Sequence, residues 1–130
     1  MGARIDKTES SVGVVRGVLN ADIANTEWNR LRAVGINSSG KVVLGAGQSG
    51  IVGIAIIDRT NYRAGRRVDI FKLGEAILTN DATENSILVA GTRYTANTTT
   101  GVVSAAAASA SQIAIGYTQE ADRFIIQGMG

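Results

Sequence analysis

Short runs of valine, isoleucine and threonine recur along the chain, separated by glycine or by clusters of Asn, Ser and Thr. β-Branched residues suit a pleated, half-buried surface, and glycine at the breaks supplies the positive φ that tight turns need. The pattern predicts strands at 12–19, 30–36, 41–44, 51–57, 66–72, 75–78, 87–95, 112–118 and 122–127. No stretch sustains a helical spacing of apolar residues between proper caps. Two segments keep a helical alternative. In 20–30, Asn20 and Asp22 are candidate caps for a short turn. The alanine-rich 104–111 (SAAAASAS) has helical propensity, but it is short and its serines favour a loop. The expectation is an all-β fold, with one closed or nearly closed barrel built from 30–128.

The strand pattern also hints at an internal repeat. NSSGKVV at 37–43 matches NTTTGVV at 97–103, and IVGIAI at 51–56 matches QIAIGY at 112–117. Arg67-Val68-Asp69-Ile70 then matches Arg123-Phe124-Ile125-Ile126, in the same order. Either the domain is a duplication, or a Gly/Val/Ala-rich β protein yields such matches by composition. Residues 1–29 stand outside this pattern and read as an N-terminal arm or edge strand. Residues 30–130 form the barrel domain, which looks complete without the arm.

Composition narrows the chemistry. At 130 residues the chain fits one domain. It has 16 glycines, no proline, no cysteine and no histidine. Thiol nucleophiles, Cys/His zinc sites, imidazole bases and Ser-His-Asp triads are therefore excluded. The acidic residues Asp58, Asp69, Glu75, Asp81, Glu84, Glu120 and Asp122 are scattered, and no spacing singles out a catalytic pair. Gly45, Gly47, Gly50 and Gly53 resemble a phosphate loop, but the Walker lysine is missing and a strand follows where a helix should. No catalytic residue, cofactor or metal site is assigned. The net charge of +2 is too small to argue for nucleic acid, and no apolar run approaches the ~20 residues of a membrane span. An apolar signal-peptide core is absent from the N-terminus, so the chain is expected to act without crossing a membrane by the standard route. Charged residues make up only 18%, which suits a surface that faces another protein.

The densest cationic cluster is Arg59, Arg63, Arg66 and Arg67, with Tyr62 inside it. Arg and Tyr are enriched at protein interfaces, and guanidinium forks suit carboxylates. The alternative is a solvated loop between strands. Strand alternation places Val68 and Ile70 on the core face, Arg67 outward and Arg66 at the barrel's end. Trp28, the single tryptophan, is either a core plug at the barrel mouth or an interface anchor. The candidate interface residues are thus Trp28, Arg59, Tyr62, Arg63 and Arg67.

From residue 31 onward the chain resembles small phage capsid cement, or decoration, proteins. The likeness lies in an ordered series: RAVGINSSGKVVLGAG (32–47), IVGIAI (51–56), AGRRVDIFKLGEAIL (64–78), VAGTRYTANTTTGVVSAAAA (89–108) and IAIGYTQEADRFIIQG (113–128). Each motif is weakly specific, and their order carries the resemblance. It implies a β-barrel or β-tulip-like domain with an extended N-terminal arm, without catalytic residues. It further implies a homotrimer on the capsid exterior that binds the phage major capsid protein and reinforces capsomer contacts, made in the host cytoplasm. Two features depart from the family pattern: the long 1–30 segment, and the arginines at 59–67 where the family loop is small and neutral. The competing expectation is a carbohydrate- or receptor-binding β-module of a virion fibre. That reading requires an aromatic-lined site, for which three tyrosines and one tryptophan are a thin supply.

Overall fold

The computed structural model describes residues 3–7, 14–78, 89–120 and 123–127. Among them are eleven strands and no α-helix. The strands are β1 (Ala3–Lys7), β2 (Val14–Val18), β3 (Leu31–Ile36), β4 (Val42–Leu44), β5 (Gly53–Ile56) and β6 (Arg67–Phe71). They continue with β7 (Gly74–Leu78), β8 (Arg93–Asn97), β9 (Val103–Ser104), β10 (Gln112–Glu120) and β11 (Arg123–Ile126). The all-β class is therefore the one the sequence predicts. Strands β1 and β9 go beyond that expectation, while β8 starts at Arg93 rather than 87, the residues up to 88 lying outside the described set. The helical alternatives resolve into a single 3-10 turn at Asn25–Glu27, whose N-cap is Ala24 rather than Asn20 or Asp22. The 104–111 segment is a loop, with Ser104 Oγ accepting from Ala106 N.

The architecture differs from one closed barrel. The strands form two antiparallel sheets, in the orders β2-β6-β5-β3-β4 and β1-β7-β11-β10-β8-β9. The first sheet curls until Leu19, just past β2, bridges Val42 at the start of β4, with Asn20 N donating to Val42 O at 3.0 Å. Gly17 permits this approach, because a Cβ there would overlap Val42 Cγ2. Leu19, Val34, Val42, Ala55, Ile57, Val68 and Ile70 fill the concave side. The opposite side of the same sheet supplies Leu31, Ala33 and Ile54 to a second core. Those side chains meet Tyr94, Ala96, Val103, Ile115, Phe124 and Ile126 of the second sheet. Strand β3 is thus buried on both faces, as alternation requires of a strand between two cores. A bridge between Arg32 and Val102 and the bond Ala33 N to Gly101 O (2.9 Å) tie the sheets together through backbone.

The two sheet orders are the same pattern twice. Strands β2 to β6 are arranged as β7 to β11, with β1 added outside β7. The repeat is structural. Both Asn turns are built alike. Asn37 Oδ1 accepts from Ser39 N and Lys41 N, each at 2.9 Å, and Asn97 Oδ1 accepts from Thr99 N (2.8 Å) and Thr100 N (3.0 Å). Each turn then ends on a glycine of positive φ, Gly40 at 79° and Gly101 at 75°. The second turn carries one more residue, so Gly101, not Thr100, is the counterpart of Gly40. Farther on, Val34 pairs with Gly53 and Tyr94 with Gly116. Gly53 and Gly116 are therefore equivalent, two residues away from the alignment the sequence suggests. A side chain at either would press on a carbonyl of the next strand, Phe71 O or Ile125 O.

Candidate protein interface

The segment between β2 and β3 and the loop between β5 and β6 lie together, stitched by backbone. Ile23 N donates to Tyr62 O (2.9 Å), Gly65 N to Leu19 O (3.0 Å), Leu19 N to Arg66 O (2.9 Å) and Asn29 N to Ile57 O (2.7 Å). Asp22 Oδ1 accepts from Ala64 N at 2.8 Å. The loop is also folded on itself. Asp58 Oδ1 accepts from Thr60 N (2.8 Å) and Thr60 Oγ1 (2.6 Å), while Asn61 Oδ1 accepts from Asp58 N (2.8 Å). Such Asx-type turns fix a short loop without a core of its own. The carboxylates of Asp22 and Asp58 are thereby engaged in holding backbone.

Within this frame three of the five candidate residues come together. Trp28 and Tyr62 are half-buried, with ring centroids 4.6 Å apart and planes tilted by 44°. Both pack, with Ile23, over the concave core of the first sheet. Trp28 Nε1 donates to Ile23 O at 2.9 Å, so the indole covers the open end of the curled sheet with its polar group satisfied. The Arg63 guanidinium lies 5.4 Å from the Tyr62 centroid, within cation–π range. Arg59 sits on the exposed turn after Asp58. Arg67 opens β6, opposite Val18 of β2. The burial of β6 alternates as the sequence predicts: Arg67 and Asp69 are exposed, Val68 and Ile70 buried. Arg66 is exposed just ahead of the strand.

Arg59, Arg63, Arg66 and Arg67 make no ion pair among the described residues. The exposed ion pair nearby is Arg16 Nε with Asp69 Oδ1, 2.9 Å across the β2–β6 ladder. Arg16, Gly17, Val18 and Arg67 line a shallow depression on this edge. The region therefore presents positively charged forks on a hydrogen-bonded loop, beside an aromatic pair. Its chemistry suits carboxylates. Arg16 belongs to this surface, and only pairing with β6 reveals it. A second arginine, Arg32, is buried in β3 and bonds Glu27 Oε1 through Nε at 2.7 Å and Leu31 O through its Nη1 at 3.0 Å. That pair clamps the 3-10 turn beneath Trp28. Its five-residue spacing has no helical or strand signature in the sequence.

No protein-family profile and no curated protein matches the chain. Among solved structures it is similar to a chain from Mycobacterium phage Patience, with a TM-score of 0.82 and 24% identity, covering 98% of this chain and 96% of that one. The two share a fold. The likeness spans nearly the whole length of both chains.

Proposed function

We propose that this chain is a structural virion protein that binds the exterior of a phage capsid and reinforces contacts between capsomers. The observation that carries the reading is the full-length structural likeness to a chain from a phage. The ordered series of motifs shared with cement proteins supports it, and so does the arginine surface around Tyr62. In this reading the partner is the major capsid protein, met through carboxylates on its outer surface. The chain acts without catalysis, as a homotrimer. A shell offers many identical sites, so weak contacts add through multivalency, and three linked copies gain most from it. Exposed ion pairs of about 0–1 kcal/mol each are then sufficient.

The test is cryo-electron microscopy of particles from the phage that encodes the chain, with the gene intact and deleted. Density on the outer surface that fits the two-sheet domain, present only with the intact gene, is the expected result. Particles from which the chain is absent would rule the reading out.

A further inference from the structure

The repeat gives β2 and β7 the same place, each at the end of its five-strand set beside β6 or β11. In the second set another strand, β1, adds to the far side of β7, antiparallel, from Ala3↔Leu78 to Lys7↔Glu75. In the first set the corresponding side of β2 is vacant among the described residues until Leu19 meets Val42. The direction of its backbone groups follows from the neighbouring bonds. Leu19 N donates inward to Arg66 O, and Asn20 N donates the other way, to Val42 O. Alternation along an antiparallel ladder then turns Val15 and Gly17 toward β6. It leaves the amides and carbonyls of Val14 and Arg16 and the amide of Val18 on the open side, while the Val18 carbonyl faces Val42 N in the parallel bridge.

The edges at β4 and β9 are less available. β4 is three residues long, and the chain just after it is already bonded, Gly45 N to Ala33 O and Ala46 N to Thr98 O. β9 has two residues. The side chains around β2 also select what would fit. On one face stand Arg16 and, opposite Val18, Arg67, beside the shallow depression. Arg16 is held by Asp69 in an exposed pair, its one ion pair among the described residues. On the other face Val15 is 40% exposed.

From this we infer that the open edge of β2 accepts an extended segment of a partner protein as an added strand, one that alternates acidic and apolar residues. Its backbone bonds the outward amide and carbonyl of Arg16 and the amide of Val18. Its carboxylates lie on the face of Arg16 and Arg67, and its apolar side chains cover Val15. Strand addition of this kind draws affinity from main-chain bonds and selectivity from alternate side chains. The segment is short, because the Leu19–Val42 bridge closes the edge at one end. The inference rests on the proposed function only for the identity of the partner.

The experiment follows amide exchange in the full chain by NMR, with two capped synthetic peptides of alternating sequence, Val-Glu and Val-Lys. The Val-Glu peptide is expected to slow exchange of the Arg16 and Val18 amides by about tenfold or more, and to leave Val15 and Gly17 unchanged. The effect should weaken with added salt, and Val-Lys should give none. Val18→Pro removes an amide that faces away from β6, so it should keep the melting temperature and abolish the response. If that variant does not fold, the wild-type exchange data still decide. Unprotected Arg16 and Val18 amides, equal protection by both peptides, or protection on raising protein concentration without peptide would each overturn the inference. The peptides contain no particle, so the outcome is separate from that of the microscopy. Protection without capsid density removes the capsid and leaves the edge site. Capsid density without protection removes the edge site alone.

Discussion

At the residue scale, the buried Arg32 is the most consequential group that strand patterning does not foresee. It occupies a position in β3 opposite Ala55, facing the same way as Val34, where alternation calls for an apolar side chain. Glu27, on the 3-10 turn, makes that tolerable by taking the charge at 2.7 Å. A buried charge that loses its partner retains its desolvation cost, whereas replacing both members with apolar groups is often neutral. Glu27→Ala is therefore expected to destabilise the fold by about 2–3 kcal/mol. Glu27→Leu combined with Arg32→Met should recover most of that loss. Urea unfolding of the single and double variants checks both, and equal destabilisation by the two would show that the charge pair is not what matters. The single variant should also loosen Trp28, which a shift in tryptophan fluorescence of the folded state would report.

At the element scale, the elements were far more legible than their neighbours. Val68 and Ile70 buried against exposed Arg67 and Asp69 is a period-two pattern, written in the sequence and kept in β6. The Asn-to-Gly turns were legible for the same local reason. The register between the halves was not. Moving a strand by two residues keeps every side chain on its face, so Gly53 could be matched to Ala114 without any penalty in pattern. Only the Val34–Gly53 and Tyr94–Gly116 pairs decide it. Closure was illegible too, because it depends on contacts distant in sequence: Leu19 with Val42, Asp22 with Ala64, Arg32 with Val102. Gly17 is where closure is most exposed to a test. Gly17→Val would drive a branched side chain into Val42 and is expected to cost about 1–3 kcal/mol or more by overpacking. A matching Val42→Ala change should restore part of it in a thermal melt. Additive losses would mean that Gly17 is needed for some other reason. Deleting residues 1–20 removes β2 and the fully buried Leu19, so the first sheet should lose its cooperative unfolding. Circular dichroism on the truncated chain tests this, and a sharp melt near that of the full chain would mean that the sheet stands without β2.

At the scale of the whole molecule, the duplication is interlocked rather than beaded. The outer side of the first sheet fills the core of the second, so the positive loop is held by a body that spans both halves. Pre-ordering of this kind lowers the entropy cost of presenting long arginine side chains to a partner. The loop's own bonds, through Asp58, Asn61 and Asp22, do not involve the four guanidinium groups. Charge at these positions should therefore be separable from stability. Arg63→Glu combined with Arg67→Glu is expected to shift the melting temperature little, since both side chains are exposed and neither holds an ion pair among the described residues. On particles the same change should weaken binding. It turns attraction for carboxylates into repulsion, and the difference from wild type should be largest at low salt, where the Debye length exceeds ~10 Å, and shrink as salt is raised. Arg63 carries a second contribution, because its loss also uncovers the Tyr62 ring. Arg63→Gln, which removes charge without reversing it, should fall between. Co-sedimentation with stripped particles across a salt series separates the cases. Binding that is unchanged at low salt would make the cluster a solvated loop. Binding that falls equally at all salt concentrations would assign its effect to packing rather than charge.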